Sequence, residues 1–197
     1  MLALSWKAAN KLFSKGYIEE ENIPVYQYGL FWLFNIIEFL LVSVVTGLIF
    51  NVLWGNIAFF SGFMLLRVFG GGYHASTELK CQISSASIFT LSSLALKYID
   101  SPITMAIMLI IELLFSIFII SFSPVDFSGQ ELSLEEKGVY SRLSRGICII
   151  LIILSVIFML LRFDKIFAGF SMALTLQGVM IILGLIANFV KSKKTIK

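Results

Sequence analysis

Long apolar stretches alternate with short polar ones along most of this chain. Six of the stretches are nearly free of charged residues, and each approaches the roughly 20 apolar residues that a helix needs to cross a bilayer, with about 17 as the lower limit. We predict them near 28–50, 52–67, 82–99, 103–122, 147–162 and 166–190. The pattern therefore indicates an all-α membrane protein with about six transmembrane helices.

Residues 1–15 have a different pattern, which is typical of an amphipathic helix. Four apolar side chains fall on one face at helical spacing: Leu2, Trp6, Ala9 and Phe13. Three lysines at positions 7, 11 and 15 lie beside that face. Such a helix lies in the headgroup plane of an anionic leaflet, and the alternative is a helix packed on the others. Gly16 is expected to end it.

Composition excludes an ordinary soluble domain. The 197 residues are 58% hydrophobic and only 14% charged, whereas soluble chains carry roughly a quarter charged residues. A transmembrane barrel is also disfavoured, because its strands alternate polar and apolar residues. The net charge of +3 needs no nucleic-acid partner, because lysine and arginine collect on the cytoplasmic side of membrane proteins.

The distribution of positive charge predicts the orientation. If the chain crosses the membrane six times, twelve of its 15 lysines and arginines fall on one side and three on the other. The side with twelve positive residues is the cytoplasm, and it holds both termini. We predict a single membrane domain, 1–197, with an amphipathic helix and polar connection at 1–23, a candidate catalytic segment at 67–81 and a cytoplasmic loop at 123–146.

The candidate chemistry lies in the segment 67–81. It holds the only histidine, His74, and one of the two cysteines, Cys81, after a run of three glycines at 70–72. Nucleophilic catalysis by a thiol needs a base to take its proton, and imidazole is the side chain suited to this exchange near neutral pH. If the protein is a cysteine enzyme, these two residues are therefore its catalytic pair.

The spacing of this pair makes a structural demand. Seven residues span two turns, about 10.5 Å, of a straight helix, which is too far for direct proton transfer. The chain must therefore bend between His74 and Cys81. The glycines relax the backbone, and Ser76 or Thr77 can cap a new helix with Cys81 about one turn inside it. A helix N-terminus and a nearby imidazolium both favour the thiolate.

The alternative is that these residues have no chemical role. A lone histidine at a membrane boundary is often only an interfacial polar residue, and a lone cysteine is usually an inert apolar one. Cys148, flanked by isoleucines, is interpreted as structural. One histidine and two cysteines are too few for a closed zinc site, so we expect neither a metal nor a cofactor.

Other polar residues of the spans leave two interpretations open. Glu38 and Glu112 are carboxylates inside predicted spans. A charged group is costly there, so each residue is a candidate for a functional role. Glu38 could orient His74 or bind a basic part of a substrate, or both carboxyls could be neutral and hydrogen-bonded. Arg67 either anchors the segment at the cytoplasmic face or binds a substrate carboxylate. The serines of the third span either line a wet groove or mediate helix packing. A non-catalytic peptide exporter or carrier that uses the carboxylates is the alternative function.

The segment resembles a known family. Arg67, Phe69, Gly71-Gly72-Tyr73-His74-Ala75, Ser76-Thr77 and Cys81 are similar to the signature of the AgrB family, the accessory gene regulator B proteins of Gram-positive bacteria. The resemblance extends to the chain length, the six spans, Tyr28-Gly29 and Pro124-Val125-Asp126. It implies a multi-pass cysteine endopeptidase of the plasma membrane that cleaves an AgrD-type precursor peptide.

The resemblance also implies roles for individual residues. Its catalytic histidine and cysteine correspond to His74 and Cys81, which would cleave the precursor through an acyl-enzyme thioester and cyclise it to a thiolactone or lactone autoinducer for quorum sensing. A homodimer is implied as well. Positioning or substrate-binding residues are expected among Arg67, Gly71, Gly72, Ser76, Thr77 and Glu38.

Overall fold

The computed structural model describes residues 2–73, 77–125 and 133–195, and this part of the chain is almost entirely helical. The helices are α1 Leu2–Ser14, α2 Ile23–Phe50, α3 Leu53–Gly70, α4 Glu78–Lys97, α5 Pro102–Phe122, α6 Leu134–Leu160 and α7 Asp164–Thr195. A 3-10 turn, Glu20–Asn22, precedes α2. Within the described residues the only β-type pairing is an isolated bridge between Gly71 and Val125. The prediction of an all-α protein is confirmed.

Five helices of the described chain are long and apolar enough to cross a membrane. They correspond to α2 with its preceding turn, α3, α5, α6 and α7. The remaining predicted span, 82–99, corresponds to α4, which has 20 residues but is less apolar because it contains several serines. The count of six is therefore approximate, and the chain is a membrane protein.

One predicted boundary is wrong in detail. The polar stretch 123–146 was expected to be a loop, but α6 begins at Leu134, well before its apolar part. The reason is a capping box: Ser133 Oγ accepts from the Glu136 N–H at 3.2 Å, and the Glu136 carboxylate accepts from the Ser133 N–H at 2.9 Å. These bonds satisfy two N–H groups that an uncapped helix leaves free. Hydropathy alone does not detect such a start.

Contacts divide the chain into two compact units, Met1–Val42 and Ser43–Lys197. In the first, α1 ends at Ser14, and Gly16 follows with a φ of 73°, so the predicted end is confirmed. Ala9 is fully buried, but Trp6 is 54% exposed and Phe13 39%. Exposed aromatic side chains on this helix are compatible with the predicted interfacial position.

In the second unit, α7 is the central helix and packs against α3, α5 and α6. Its closest approach is to α3, where a Cβ added at Gly169 would overlap the carbonyl oxygen of Gly55. Ala173 lies one turn further along α7, against Gly62 of α3. Small residues of this kind allow membrane helices to pack backbone to backbone. The pair of α3 and α7 therefore forms a frame that supports the glycine run 70–72 at the end of α3.

Helix α4 is held to this frame by aromatic and polar contacts. The rings of Phe59 and Phe89 are both buried, with centroids 5.0 Å apart. Asn56 of α3 lies within 2.6 Å of Ser93 Oγ and 3.1 Å of Thr46 Oγ1, and all three side chains are buried. Among the serines of the third predicted span, Ser93 thus mediates helix packing.

The end of α4 is fixed by Lys165, at the start of α7. Its Nζ donates to the carbonyls of Leu96 at 2.8 Å, Lys97 at 3.1 Å and Ile99 at 3.1 Å, and it pairs with Asp100 at 2.8 Å. The last carbonyls of a helix have no partners within the helix, and a cation there also suits the helix dipole.

We expect Lys165→Met to lower the thermal stability of the purified protein in detergent. The substitution keeps the apolar stem but leaves three carbonyls without their donor, and hydrogen bonds to a charged group contribute about 1.5–3 kcal/mol. Since Lys165 is 31% exposed, the lower part of this range is expected. Lys97→Met, at an exposed neighbouring lysine, is the control. Equal melting temperatures for the two variants would contradict the capping role.

Candidate active site around the glycine segment

Residues 70–73, which we call the glycine segment, turn sharply away from the end of α3. The helix ends at Gly70, and the next two glycines have φ values of 65° and 113°. Arg67, in the last turn of α3, folds back over this turn. Its Nη1 donates to Gly71 O at 2.7 Å, and its Nη2 donates to Tyr73 O. The guanidinium therefore clamps the backbone that leads directly to position 74, a role that neither sequence interpretation included.

Two distant parts of the chain hold the other side of the glycine segment. The Val125 N–H donates to Gly70 O at 3.1 Å, and the Gly72 N–H donates to Val125 O at 3.4 Å. From α7, Met180 O accepts from the Tyr73 N–H at 2.9 Å, and Gln177 Nε2 donates to Gly71 O at 3.1 Å. The backbone of the segment is thus fixed from three directions.

The close contacts explain why glycine is needed here. A Cβ added at Gly71 would overlap the carbonyl oxygen of Val125, and one added at Gly72 would lie 2.7 Å from Arg67 Nη1 and 2.9 Å from Met180 O. Positive φ is also unfavourable for other residues. The sequence predicted a relaxed backbone, whereas the structure places these glycines where only a bare backbone fits.

Cys81 lies in the first turn of α4. Thr77 has an extended backbone (φ −138°), and its hydroxyl accepts from the Lys80 N–H at 3.4 Å as the N-cap of the helix. The Cys81 N–H donates to Thr77 O at 3.1 Å. Because Thr77 is extended, the helix that holds Cys81 begins at Glu78. The predicted cap at Thr77 is confirmed, and the path of the chain from His74 to Thr77 stays a prediction because 74–76 lie outside the described residues.

The surroundings of Cys81 suit a reactive thiol. The side chain is partly exposed, at the positive end of a helix. Arg67 is close enough to Cys81 for an electrostatic interaction between the guanidinium and a thiolate. A cationic neighbour and a helix N-terminus both favour the thiolate form. The position thus combines access for a substrate with a positive charge nearby.

The remaining predicted site residues are not brought into this arrangement by the described structure. His74 and Ser76 lie outside the described residues, so the contact between His74 and Cys81 stays a prediction. Glu38 lies in the unit Met1–Val42, half-buried on α2, and its role toward His74 likewise stays a prediction. Within the described residues no cluster of three histidine, cysteine or carboxylate side chains could hold a metal ion.

Sequence reasoning missed three buried polar residues that lie against Gly70 and Gly71. Gln177 is fully buried, and its amide faces Gly70 and Gly71. Ser123 Oγ donates to Ser144 Oγ at 2.7 Å, and both side chains are buried beside Gly70. The available signal was a lone glutamine inside an apolar span, because buried polar groups in membranes normally have a specific partner.

Comparisons with known proteins agree with the resemblance noted in the sequence. The family model for accessory gene regulator B (AgrB) matches residues 5–181. Neither the curated proteins nor the solved structures compared with this chain provide a match. The matched range contains the glycine segment, Cys81 and the three residues that bond to the segment from elsewhere in the chain, Val125, Gln177 and Met180. With nearly its whole length matched, the chain belongs to the accessory gene regulator B family of membrane proteins, which has a role in processing an autoinducer.

Proposed function

We propose that this protein is a membrane cysteine endopeptidase that cleaves an AgrD-type precursor peptide and closes the released part into a cyclic autoinducer. The observation that carries the proposal is the position of Cys81. It is a partly exposed thiol in the first turn of α4, near the Arg67 guanidinium and one short connection away from the glycine segment. His74 lies within that connection and is the one imidazole of the chain.

In the proposed cleavage step, His74 takes the proton of the Cys81 thiol as the sulfur attacks a peptide carbonyl of the precursor. The tetrahedral intermediate collapses, the C–N bond breaks, and the same proton passes to the leaving amine. The products are a free C-terminal peptide and an acyl-enzyme thioester on Cys81. No oxidant or reductant is needed, because no atom changes its oxidation state in this step.

In the proposed cyclisation step, a side chain of the bound precursor attacks the thioester. An internal cysteine would exchange one thioester for another and form a thiolactone, and a serine would form a lactone. Thioester exchange is close to neutral in free energy, whereas hydrolysis by water is favourable and would give a linear product. A site shielded from water at the membrane surface would therefore favour the ring.

The residues around the pair would position the reacting groups. Arg67 would act through the backbone that it clamps and through its charge near Cys81, and Thr77 would act through the helix that it caps. The backbone N–H groups at the first two residues of α4, which precede the bonded Lys80 and Cys81 N–H groups, are the nearest candidates for stabilising the oxyanion. The positioning set that we propose is Arg67, Gly71, Gly72, Ser76, Thr77 and Glu38.

The proposed surroundings follow from charge and family. The positive-inside rule would place both termini and the segment 67–81 in the cytoplasm of a Gram-positive bacterium. Helix α1 would lie on the same leaflet as the amphipathic part of the precursor, and Lys11 and Lys15, which border an open groove of this helix, would face anionic headgroups. A homodimer is proposed from family resemblance alone.

The proposal is tested by incubating the purified protein in liposomes with synthetic precursor peptides that carry an internal cysteine or serine. Mass spectrometry should detect the C-terminal peptide together with a cyclic product that is lighter than the linear product by one water. A covalent adduct that hydroxylamine releases should accumulate during the reaction. Peptide that crosses the liposome membrane without a broken bond would instead support the carrier.

We expect Arg67→Lys to reduce cleavage by on the order of 10²-fold with the fold retained. Lysine keeps the charge but lacks the planar fork that donates to two carbonyls at once, and a shift of about 1 Å at a catalytic group can cost 10²-fold in rate. The measurement is kcat and KM for the precursor, with Arg142→Lys on the exposed face of α6 as the control. Full activity in Arg67→Lys would show that charge alone is sufficient.

A further inference from the structure

A second polar cluster lies inside the bundle, away from the glycine segment. Glu112 is the central residue of α5, so its carboxyl lies near the middle of the membrane. Its side chain is fully buried and its Oε2 has no hydrogen-bond partner in the described protein. Ser116, one turn along the same face of α5, is 2% exposed, and its Oγ lies close to the Cys148 thiol of α6. Glu112 Oε2 is thus an unpartnered polar oxygen in the core, with a buried hydroxyl one helical turn away.

Serines from the two helices packed against α5 complete the cluster. Ser155 Oγ of α6 lies 2.5 Å from Glu112 Oε1 and 2.9 Å from Ile152 O. Ser171 Oγ of α7 lies 3.2 Å from Met108 O and close to the same carboxyl. Both serines are buried. Serine hydroxyls from α6 and α7 therefore lie beside the carboxyl of α5.

Burial without a full set of hydrogen-bond partners favours a neutral carboxyl. A serine hydroxyl has one proton to donate, and Ile152 O can only accept. When Ser155 donates to Ile152 O, the contact with Glu112 is a hydrogen bond only if the carboxyl donates. An ionised carboxyl would instead keep Oε2 charged, buried and unpartnered, which is costly in a membrane interior. One proton on Glu112 removes this cost.

Among the described residues, no side chain supplies a positive charge to compensate an ionised Glu112. Helix α5 has no other ionisable residue, and α7 has none between Lys165 and Lys191. On α6 the one titratable group that faces the carboxyl is the Cys148 thiol, which is neutral as a thiol and offers no positive charge. Glu112 also makes no ion pair with any described residue.

We propose that Glu112, with Ser116, Ser155 and Ser171, forms an intramembrane site for a monovalent cation, and that a proton occupies this site. The same oxygens are hard ligands of the kind that bind Na⁺ in membrane transporters, so sodium is the competing occupant. Exchange of this proton would change the charge between α5, α6 and α7 and would link their packing to the proton concentration. The proposal does not depend on the peptidase reaction.

Infrared difference spectroscopy of the full-length protein in liposomes tests the site. The spectrum of Glu112→Gln is subtracted from that of the wild type at neutral pH, once in sodium buffer and once in sodium-free buffer. We expect the C=O band of a carboxylic acid in the sodium-free difference spectrum. In Ser155→Ala this band should move to higher frequency, because the acid loses its hydrogen-bond partner, and a purely structural serine would not shift it.

Each outcome decides the proposal. An acid band in both buffers supports a proton site, and an acid band that sodium converts to carboxylate bands supports a site that takes either ion. Carboxylate bands in sodium-free buffer, or an acid band that Ser155→Ala leaves unmoved, would overturn it. If Glu112→Gln does not fold, the difference between wild type and Ser155→Ala still reports the shift of the acid band.

Discussion

Replacing Cys81 by serine is expected to abolish cleavage of the precursor, whereas replacing Cys148 by serine is expected to leave cleavage close to that of the wild type. Loss of the nucleophile of a hydrolytic enzyme lowers kcat by up to about a millionfold. Cyclic product from Cys81→Ser should therefore be below detection. Time courses by mass spectrometry, with equal amounts of each protein in liposomes, provide the measurement.

The two cysteines differ because their surroundings differ. Cys81 is partly exposed at the start of α4, with the Arg67 guanidinium nearby. Cys148 is fully buried in α6, in an apolar cluster that includes Leu151 and Ile119. Reactive cysteines are accessible and lie near positive charge, while buried apolar ones are inert. The structure therefore gives a physical reason for a prediction that the sequence made from neighbouring residues alone.

The result has a clear contrary outcome. Cleavage by Cys81→Ser at the wild-type rate would exclude Cys81 as the nucleophile and would move attention to the carrier function. Loss of cleavage in Cys148→Ser together with an unchanged melting temperature would place the second thiol in the reaction. Melting temperatures are therefore measured for both variants, so that a failure to fold is not read as a loss of chemistry.

The sequence predicted the local features of the site well because their causes are local. The glycine run, Thr77 and the spacing to Cys81 were sufficient to predict a bend followed by a capped helix. The start of α6 was missed, although Ser133 and Glu136 carry the capping-box pattern, because the span was placed by hydropathy alone. The local polar signal at Ser133 and Glu136 therefore locates the start of α6 better than hydropathy does.

The supporting side of the site could not be predicted, because its contacts are distant in sequence. Gln177 is 106 residues from Gly71, to which it donates, and Val125 reaches the same segment from the end of α5. No periodicity in one sequence indicates which helices become neighbours. For the same reason the surroundings of Glu112 could not be predicted, because its neighbours Ser155 and Ser171 come from two other helices.

Gly71→Ala is expected to lower both stability and activity. Alanine at a φ of 65° costs about 1–3 kcal/mol in backbone strain, and its Cβ would overlap the Val125 carbonyl. Moving Val125 would weaken the two backbone hydrogen bonds of the bridge, each contributing about 1 kcal/mol. We expect a total loss of about 2–4 kcal/mol in the free energy of unfolding. Because the segment also leads to His74, cleavage should fall by at least about 10²-fold.

Gly138→Ala is the matched control, because Gly138 lies in helical α6 and a Cβ there meets no atom within 4 Å. Alanine is favoured over glycine in a helix by about 1 kcal/mol, so this variant should be as stable as the wild type or slightly more so, with unchanged cleavage. Thermal unfolding in detergent and cleavage in liposomes are measured for both variants. If Gly71→Ala melts like the wild type and still loses cleavage, the glycine acts on the reaction directly rather than through the fold. If Gly71→Ala keeps both the stability and the cleavage of the wild type, the contact with Val125 does not position the catalytic segment, and another element must hold that segment.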